Sequence, residues 1–459
     1  MAEPRLTAVI DIGKTNAKLA LVDLDALAEI EVLKTANAVS NDGPYPHHDT
    51  ERLWRFIVDG LAELGRRHDI DAISVTTHGA TAALLDAEGK LALPILDYEH
   101  DGPDGLADEY DTLRPSFSET GTPRLPGGLN LGAQIHWQSR AFPDHFAAVR
   151  AILPYPQYWA WRLTGVQASE VTSLGCHTDL WDPARRDWSS MVERVGWRRL
   201  MPPIRQAGDC LGPLHPKVAA QTGLAADTPV HCGIHDSNAS LLPHLLSRKP
   251  PFAVVSTGTW VVAMAAGGRA AAGLDPRRDT LVNVDALGSP IASARFMGGR
   301  EFAVLAGTAP EASATEIRDV LSEKLMVLPS VQTSSGPFPK RAAEWVASRR
   351  LSEGERFAAA SFYLATMTAT CLDLIGASGE TIVEGSFAGN RPYLDMLTAA
   401  TGRPVLAGQA NATGTSIGAA LLTCASRAPS EELRLIDPSP NADLLASYAA
   451  AWRSRIGEA

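Results

Sequence analysis

The pattern of apolar and polar residues predicts an α/β protein. Two apolar runs at 7–12 and 17–23 flank a polar tip at 13–16, which predicts a β-hairpin. Residues 52–68 carry apolar side chains close to i, i+3/i+4, i+7 spacing, which predicts an amphipathic helix, and a strand is predicted over 70–77. Strands that alternate with helices are typical of an α/β fold with a partly parallel sheet.

The second half of the chain repeats this opening pattern. The prolines within 247–251 interrupt any helix or strand, so we predict domains at 1–246 and 247–459. After this boundary, apolar strands flank a polar turn at 256–259, as in the first hairpin. The repeat predicts an internal duplication, in which two domains of related topology each carry one hairpin. Further on, the pattern predicts a long helix, a strand and a helix, at 353–375, 380–384 and 391–401.

Composition narrows the class of protein. The 459 residues are enough for two or three domains of about 150 residues each. A net charge of −11 argues against nucleic acid or an anionic membrane as the main partner. The five cysteines form no CxxC pair, and no window approaches about 18 uninterrupted apolar residues. We therefore expect a cytoplasmic protein with no nucleic-acid or membrane partner.

One carboxylate near a phosphate-type turn indicates phosphoryl transfer. Asp236 follows a short apolar strand and is surrounded by small polar residues. The hydroxyl-rich turn at 256–259 comes about twenty residues later and suits phosphate oxygens. An acid in this setting can take the proton of an attacking hydroxyl group. Asp is also a common helix N-cap, and residues 237–239 fit a helix start, so a capping role stays open.

The first turn carries a second candidate acid. Asp11 lies at a strand end before a glycine turn, a position that suits a hydrated Mg²⁺ bridging phosphates, or simply an ordinary turn aspartate. Gly13, Thr15 and Asn16 offer amides and polar side chains to phosphate oxygens. Lys18 would add positive charge, although strand alternation can instead point it away from the tip.

A set of motifs in fixed order carries a family resemblance. Residues 11–18 read DIGKTNAK, 233–236 read GIHD, 256–260 read STGTW, and 153–165 fit the pattern P-x-Y-x-x-x-R-L-T-G. The set resembles the motifs of the FGGY carbohydrate kinases, which belong to the sugar kinase, actin and Hsp70 superfamily. The resemblance extends from about residue 7 to residue 422. The resemblance implies two actin-like (ribonuclease H-like) α/β domains with an interdomain active-site cleft. It also implies an ATP-dependent sugar kinase that uses Mg²⁺, with an N-terminal sugar-binding and a C-terminal nucleotide-binding domain.

The resemblance also implies a role for each matching residue. Asp236 would be the catalytic base and, with Asp11, a Mg²⁺ ligand. The residues implied to bind ATP are Gly13, Lys14, Thr15, Asn16, Lys18, Ser256, Thr257, Gly258, Thr259, Gly385, Gly389 and Asn390. Those implied to bind the sugar are His78, Gly79, Asp97, His235 and Asp236. Lys14 departs from the family, which more often has a small residue or Thr at this position.

The glycine-rich motif that the FGGY family carries for adenosine is reduced in this chain, and we call its counterpart here the adenosine motif. Residues 383–393 occupy its place, and the usual glycine run is represented by Gly385 and Gly389. Phe387 fills the gap and either stacks on the base or packs into the core. Residues 411–420 match the small-residue helix that closes the family pattern.

The neighbour of the catalytic acid bears on the substrate. A His-Asp pair such as His235–Asp236 resembles the L-rhamnulose and L-fuculose kinases, whereas Ala80–Thr81 after His78–Gly79 resembles xylulokinases. The resemblance favours ATP and a 6-deoxy-ketohexose such as L-rhamnulose or L-fuculose as substrates. A pentulose or polyol kinase of the xylulose or glycerol type stays open. So does a non-catalytic actin/Hsp70-like nucleotide switch or sugar sensor. The sequence leaves a homodimer open as well.

Overall fold

The computed structural model describes residues 3–333, 335–408, 414–424 and 433–457. The chain forms two compact units, and each contains more than one segment. Unit 1 comprises Met1–Arg248, Val282–Pro290 and Thr413–Pro429, and unit 2 comprises Lys249–Leu281, Ile291–Ala412 and Ser430–Ala459. The predicted boundary at 246/247, the domain roles and the cleft stay predictions.

The described residues form helices and strands that alternate along much of the chain. The helices are α1 (Thr50–Gly65), α2 (Ala107–Leu113), α3 (Phe117–Thr120), α4 (Leu131–Ala141), α5 (Pro143–Ala147), α6 (Tyr155–Thr164), α7 (Val171–Leu174), α8 (Ser190–Arg194), α9 (Pro216–Thr222), α10 (Asp236–Ser247), α11 (Gly298–Ala306), α12 (Ala314–Ser322), α13 (Glu353–Leu374), α14 (Arg391–Thr401), α15 (Gly414–Leu421) and α16 (Ala442–Ile456). The strands are β1 (Leu6–Ile12), β2 (Asn16–Asp23), β3 (Ala28–Ala36), β4 (Val39–Ser40), β5 (His47–His48), β6 (Ala72–Thr77), β7 (Ala82–Leu85), β8 (Leu91–Leu93), β9 (Ala151–Pro154), β10 (Ser169–Glu170), β11 (Trp181–Asp182), β12 (Asp187–Trp188), β13 (Ile204–Arg205), β14 (Cys210–Pro213), β15 (Pro229–His231), β16 (Ile234–His235), β17 (Phe252–Thr257), β18 (Val261–Ala266), β19 (Thr280–Val284), β20 (Pro290–Phe296), β21 (Met326–Leu328), β22 (Glu344–Val346), β23 (Glu380–Gly385), β24 (Val405–Ala407) and β25 (Arg434–Leu435). This mixture confirms the predicted α/β class.

The main sheet of unit 1 is built around the predicted hairpin. Its strand order is β14-β15-β6-β1-β2-β3, and β16 also pairs with β6. β1 runs antiparallel to β2 and parallel to β6, which in turn is parallel to β16. Because the carboxyl ends of parallel strands meet at one edge of a sheet, the residues that follow β1, β6 and β16 are brought together there.

The main sheet of unit 2 repeats this arrangement. Its order is β19-β20-β18-β17-β23-β24-β25. Here β17 runs antiparallel to β18 and parallel to β23, and β18 runs antiparallel to β20. Beyond β23 come parallel β24 and antiparallel β25, which match β15 and β14 of unit 1. The duplication read from the two hairpins therefore extends over six strands of each sheet.

Helix α1 forms where the amphipathic pattern of the sequence predicts a helix. The Asp49 side chain caps it by accepting a hydrogen bond from the Arg52 amide at 3.0 Å. Its buried face, with Leu53, Ile57 and Leu61, belongs to the same apolar core as the inward side chains of β1 and β2. The helix starts two residues before the predicted range and ends three residues before its predicted end.

Helix α15 closes the core of unit 1. The predicted small-residue helix at 411–420 lies partly outside the described residues, since 411–413 are not described. The described part contacts α10, β1 and β6. Small side chains permit this close packing, because a Cβ on Gly418 would lie 1.8 Å from the carbonyl oxygen of Ala239.

Helix α13 lies in the core of unit 2. By length and composition, it is the one helix among the described residues that could cross a membrane. However, 83% of the 18-residue apolar stretch of this helix is buried within the protein, and the helix contacts α11, α12 and α14. Its N-terminus has a capping box formed by Ser352 and Glu355. A helix that is apolar on most of its circumference is expected where other elements surround it.

Unit 2 buries a carboxyl group whose charge is unfavourable. Glu301 is fully buried, and its Oε2 and Oε1 accept hydrogen bonds from the Tyr363 hydroxyl at 2.8 Å and the Gln332 amide at 3.1 Å. Burial raises the pKa of Glu301 from 4.5 to about 7, although both hydrogen bonds act to lower it. Between these pH values the folded state holds a proton that the unfolded chain releases, so stability falls as the pH rises.

We expect this group to cost about 3 kcal/mol of the free energy of unfolding between pH 4.5 and 7. The variant Glu301→Gln removes the titration and should lose less stability over this window than the wild type. Urea unfolding at several pH values measures the difference. Glu353→Gln, an exposed carboxylate on α13, should keep the wild-type profile. Parallel profiles for the wild type and Glu301→Gln would contradict the assignment.

Candidate active site

The structure brings the predicted base and one predicted Mg²⁺ ligand to the same edge of the unit 1 sheet. Asp11 of β1 and Ile234 of β16 both pair with Thr76 of β6, and Asp236 follows β16 directly. Burial, with a smaller contribution from the charge of Asp236, raises the pKa of Asp11 to about 6 against the opposing effect of Lys18. The two carboxylates therefore interact electrostatically.

Asp236 is a partly exposed carboxylate at the start of a helix. It is the first residue of α10, and its side chain is 32% exposed. Its Oδ1 accepts a hydrogen bond from the amide of the adjacent Ser237 at 2.6 Å and lies 3.3 Å from the Ser237 hydroxyl. An N-cap side chain instead accepts from an amide two or three residues later, and His235 holds the N-cap position. The capping alternative therefore does not describe Asp236 in the structure.

His235 supplies positive charge beside Asp236. Its Nε2 lies 3.3 Å from Asp236 Oδ1. Burial lowers the pKa of His235, but Cys176, Asp236 and Glu170 more than offset this and raise it to about 9. The backbone amide of His235 donates to Thr172 Oγ1 at 3.0 Å, and that hydroxyl donates to the buried Glu170 carboxylate at 2.5 Å. This chain of hydrogen bonds fixes the backbone immediately before Asp236.

Gly79 lies against His235 and Cys176. A Cβ at position 79 would lie 2.8 Å from His235 Nε2 and 3.7 Å from Cys176 Sγ, so the approach requires glycine. Burial acts to raise the pKa of the Cys176 thiol, but the charges and hydrogen bonds of His177 and His235 hold it well below its usual range. The sequence did not single out Cys176, because a lone cysteine without a spacing motif carries little signal.

His78 belongs to a group of four packed rings, His48, His78, Tyr98 and Tyr155, which we call the ring cluster. The centroid of His78 lies 5.2 Å from those of His48 and Tyr155 and 5.5 Å from that of Tyr98. His78 Nδ1 lies 2.9 Å from the Gly79 carbonyl oxygen, which makes it the donor and leaves Nε2 as an acceptor. Burial lowers the pKa of His78 to about 4, so the ring is neutral at pH 7.

Both lysines of the first hairpin pair with carboxylates of unit 1. Lys14 Nζ lies 2.5 Å from Asp97 Oδ1, and Lys18 Nζ lies 2.8 Å from Glu29 Oε1 and 3.4 Å from Asp11 Oδ2. Lys18 pairs in register with Asp11, beside it on the sheet. The tip itself is closed by hydrogen bonds within the backbone, including the Gly13 amide to the Asn16 carbonyl at 2.9 Å.

In unit 2, the predicted phosphate turn lies against the start of the adenosine motif. The Thr257 carbonyl accepts from the Ser386 amide at 2.9 Å, and Thr257 Oγ1 accepts from the Phe387 amide at 2.9 Å. Gly385 has φ +82°, and a Cβ there would lie 2.1 Å from the Thr257 carbonyl oxygen. The turn at 256–259 and Gly385 are therefore neighbours, and the tip of the turn is exposed.

The rest of the adenosine motif shapes helix α14. Asn390 is its N-cap, with the side-chain oxygen accepting from the Tyr393 amide at 2.9 Å. Phe387 is buried, and its ring centroid lies 5.1 Å from that of Phe302 and 5.6 Å from that of Tyr393. Of the two alternatives for Phe387, the structure shows packing in the core. Gly389 is exposed before the helix.

Asp11 and Asp236 together fit a magnesium ion. No cluster of three or more His, Cys, Asp or Glu side chains suited to a metal occurs among the described residues. Mg²⁺ does not need such a cluster, because it is commonly held by one or two carboxylates together with water and phosphate oxygens. The repulsion that contributes to the raised pKa of Asp11 is the kind that a divalent cation relieves.

Comparison with known families accounts for both units. Residues 6–243 match the N-terminal domain of the FGGY family of carbohydrate kinases, and residues 249–432 match the FGGY C-terminal domain. The chain belongs to the FGGY family of carbohydrate kinases. The family predicted from the ordered motifs is thereby confirmed.

Individual FGGY relatives differ in their substrates. The L-fuculokinase of Salmonella typhi is 26% identical over 57% of this chain and 56% of its own length. The xylulose kinase of Bacillus subtilis is 26% identical over 50% of this chain and 47% of its own. The chain thus aligns with about half the length of these curated relatives. A solved carbohydrate kinase from Novosphingobium aromaticivorans is 38% identical, with a TM-score of 0.89 over 98% of this chain and all of that one. This likeness confirms the predicted two-domain fold.

Proposed function

We propose that the protein transfers the terminal phosphoryl group of ATP to a hydroxyl group of a ketose, and that Asp236 is the base. The observation that carries the proposal is the position of Asp236, a partly exposed carboxylate at the sheet edge beside Asp11 and His235. An alcohol is a poor nucleophile until its proton leaves, and a carboxylate within hydrogen-bond reach can accept that proton as the new bond to phosphorus forms.

The residues around Asp236 keep it oriented for this step. The Ser237 amide donates to Oδ1, which leaves Oδ2 for the substrate hydroxyl. Its position in the first turn of α10 favours a negative charge there. His235 adds a cation next to the carboxylate and, in this role, helps to offset the negative charge of the phosphoryl group.

Asp11 and Asp236 would hold Mg²⁺. When bound, the ion supplies charge neutralisation on the phosphate oxygens. We assign the phosphates of ATP to Gly13, Thr15 and Asn16 of the first turn and to the turn at 256–259, with Gly385, Gly389 and Asn390 at the adenosine. Backbone amides in glycine-containing turns suit anionic oxygens because they can approach closely and carry partial positive charge.

For the sugar, the proposal assigns His78, Gly79, Asp97 and His235. Neutral His78 offers Nε2 as an acceptor for one hydroxyl group. The carboxylate of Asp97 can accept hydrogen bonds from further hydroxyls. A 6-deoxy-ketohexose such as L-fuculose is favoured by the L-fuculokinase relatives and by the His235–Asp236 pair.

A pentulose is the second candidate. It is favoured by the relatives named xylulose kinase and by the Ala80–Thr81 pair that follows Gly79. As part of the same proposal we assign the enzyme to the cytoplasm. ATP is available there, and the five cysteines, none of which forms a disulfide in the structure, would stay reduced.

The proposal is tested by coupled detection of ADP from purified full-length protein with ATP and Mg²⁺. The panel contains L-fuculose, L-rhamnulose, D- and L-xylulose, glycerol and gluconate. We expect turnover to be highest with one of the 6-deoxy-ketohexoses. Preference for a xylulose would move the substrate to the second candidate. ATP binding without turnover of any member would overturn the kinase proposal and favour a nucleotide switch.

A further inference from the structure

We infer that Lys14 is a residue of the sugar site, where it holds Asp97 in place for the substrate, and that it does not bind the phosphates of ATP. The inference rests on the proposed function, because it concerns the same reaction. It reassigns a residue that the motif alone attributes to ATP. Lys14 is also one of the positions at which this chain departs from the common family pattern.

The ammonium group of Lys14 is directed towards the segment at 97–99. Its Nζ donates to Asp97 Oδ1 at 2.5 Å, lies 3.5 Å from Glu99 Oε2, and lies 5.1 Å from the centre of the Tyr98 ring. The side chains of Lys14 and Asp97 are only 18% and 7% exposed. A lysine with two carboxylates and a ring around its ammonium group is already neutralised, which makes it a poor ligand for a further anion.

The geometry leaves one oxygen of Asp97 for a ligand. Lys14 and the Glu99 amide both donate to Oδ1, the latter at 3.3 Å. Among the described residues, no donor to Oδ2 is found. Lys14 thus fixes the orientation of the carboxylate through one oxygen, and the other can accept a sugar hydroxyl.

Buried nitrogens next to this pair point to the same ligand. Both ring nitrogens of His48 and Nε2 of His78 have no hydrogen-bond partner among the described residues, although His48 is only 2% exposed. Buried polar atoms are nearly always hydrogen-bonded, so these nitrogens call for a polar partner that the protein itself does not provide. The Tyr98 ring contacts both Lys14 and His78. The ion pair therefore borders the ring cluster, and a polyhydroxylated ligand suits both.

The test measures KM separately for the sugar and for ATP in variants of Lys14. For the sugar that the wild type phosphorylates best, Lys14→Met should raise the sugar KM about 10- to 100-fold, the usual effect of losing a charge-assisted hydrogen bond. The ATP KM should change less than about threefold. Lys14→Arg keeps the charge and should restore most of the sugar affinity. A raised ATP KM with an unchanged sugar KM would overturn the inference.

A second set of variants guards against misfolding. Lys14→Met leaves the buried Asp97 charge unpaired, whereas the double variant with Asp97→Asn removes both charges. If Lys14 acts through Asp97, the double variant should bind sugar no more than about threefold more weakly than Asp97→Asn alone. If the double variant instead loses sugar affinity by the product of the two single-variant losses, Lys14 and Asp97 act independently and the inference is overturned. Lys34→Met, an exposed lysine on β3, is the matched control and should behave as wild type.

The outcomes distinguish this inference from the proposed function. If the wild type phosphorylates none of the panel sugars, the proposed function fails. If it is active and Lys14→Met keeps the wild-type sugar KM, only the role of Lys14 fails.

Discussion

Asp236→Asn is expected to lower kcat about 10²- to 10⁴-fold while ATP and sugar still bind. The amide cannot accept the hydroxyl proton, yet its oxygen can keep the hydrogen bond from the Ser237 amide. The loss should therefore fall on the chemical step, with the fold and the sugar site intact. Single-turnover ADP release measures the rate, and isothermal titration of ATP and of the best sugar measures binding.

Two controls make this result specific to Asp236. Asp227→Asn changes an exposed carboxylate before β15 and should leave kcat unchanged. Ser237→Ala keeps the amide that holds Asp236 Oδ1 and removes only a hydroxyl at 3.3 Å, so its effect should be well below that of Asp236→Asn. Turnover by Asp236→Asn at the wild-type rate would remove Asp236 as the base.

Local patterns were sufficient for the elements that position the site. The hairpin of β1 and β2 and that of β17 and β18 were both predicted, because alternating apolar runs around a polar turn form hairpins from adjacent residues. The sequence did not predict that Val282–Pro290 and Thr413–Pro429 join unit 1. That association depends on packing between segments far apart in the chain, which periodicity within one segment cannot reveal.

The site residues that were predicted follow from local patterns, whereas the contacts that were missed join distant segments of the chain. Asp11 and Asp236 each end a recognisable strand, and parallel pairing through β6 brings them together. The ring cluster instead combines the predicted sugar residue His78 with rings from three other segments, at positions 48, 98 and 155, and no local pattern predicts that these four rings pack together. The pairing of Lys14 with Asp97 also joins residues 83 positions apart. Motif order could place Lys14 in the first turn but could not show which way its side chain points.

Helix α10 couples the stability of unit 1 to the position of Asp236. Asp236 begins this helix, and α15 packs against its first turns at the Ala239 carbonyl. The Ser240 and Thr415 hydroxyls are 2.8 Å apart across the same contact. A change that pushes these two helices apart should therefore affect both folding and catalysis.

Gly418→Ala is expected to destabilise the protein by about 3 kcal/mol or more and to lower kcat together with stability. The new Cβ would lie 1.8 Å from the Ala239 carbonyl oxygen and 2.7 Å from its carbon, so one backbone must move. Alanine otherwise favours a helix by up to about 1 kcal/mol over glycine, which makes a loss of stability diagnostic of the contact. Thermal and urea unfolding measure stability, and ADP release measures kcat. Gly105→Ala, where a Cβ meets no atom within 4 Å, is the matched control. If Gly418→Ala is as stable as that control, the helices are not in the close contact from which this prediction is derived.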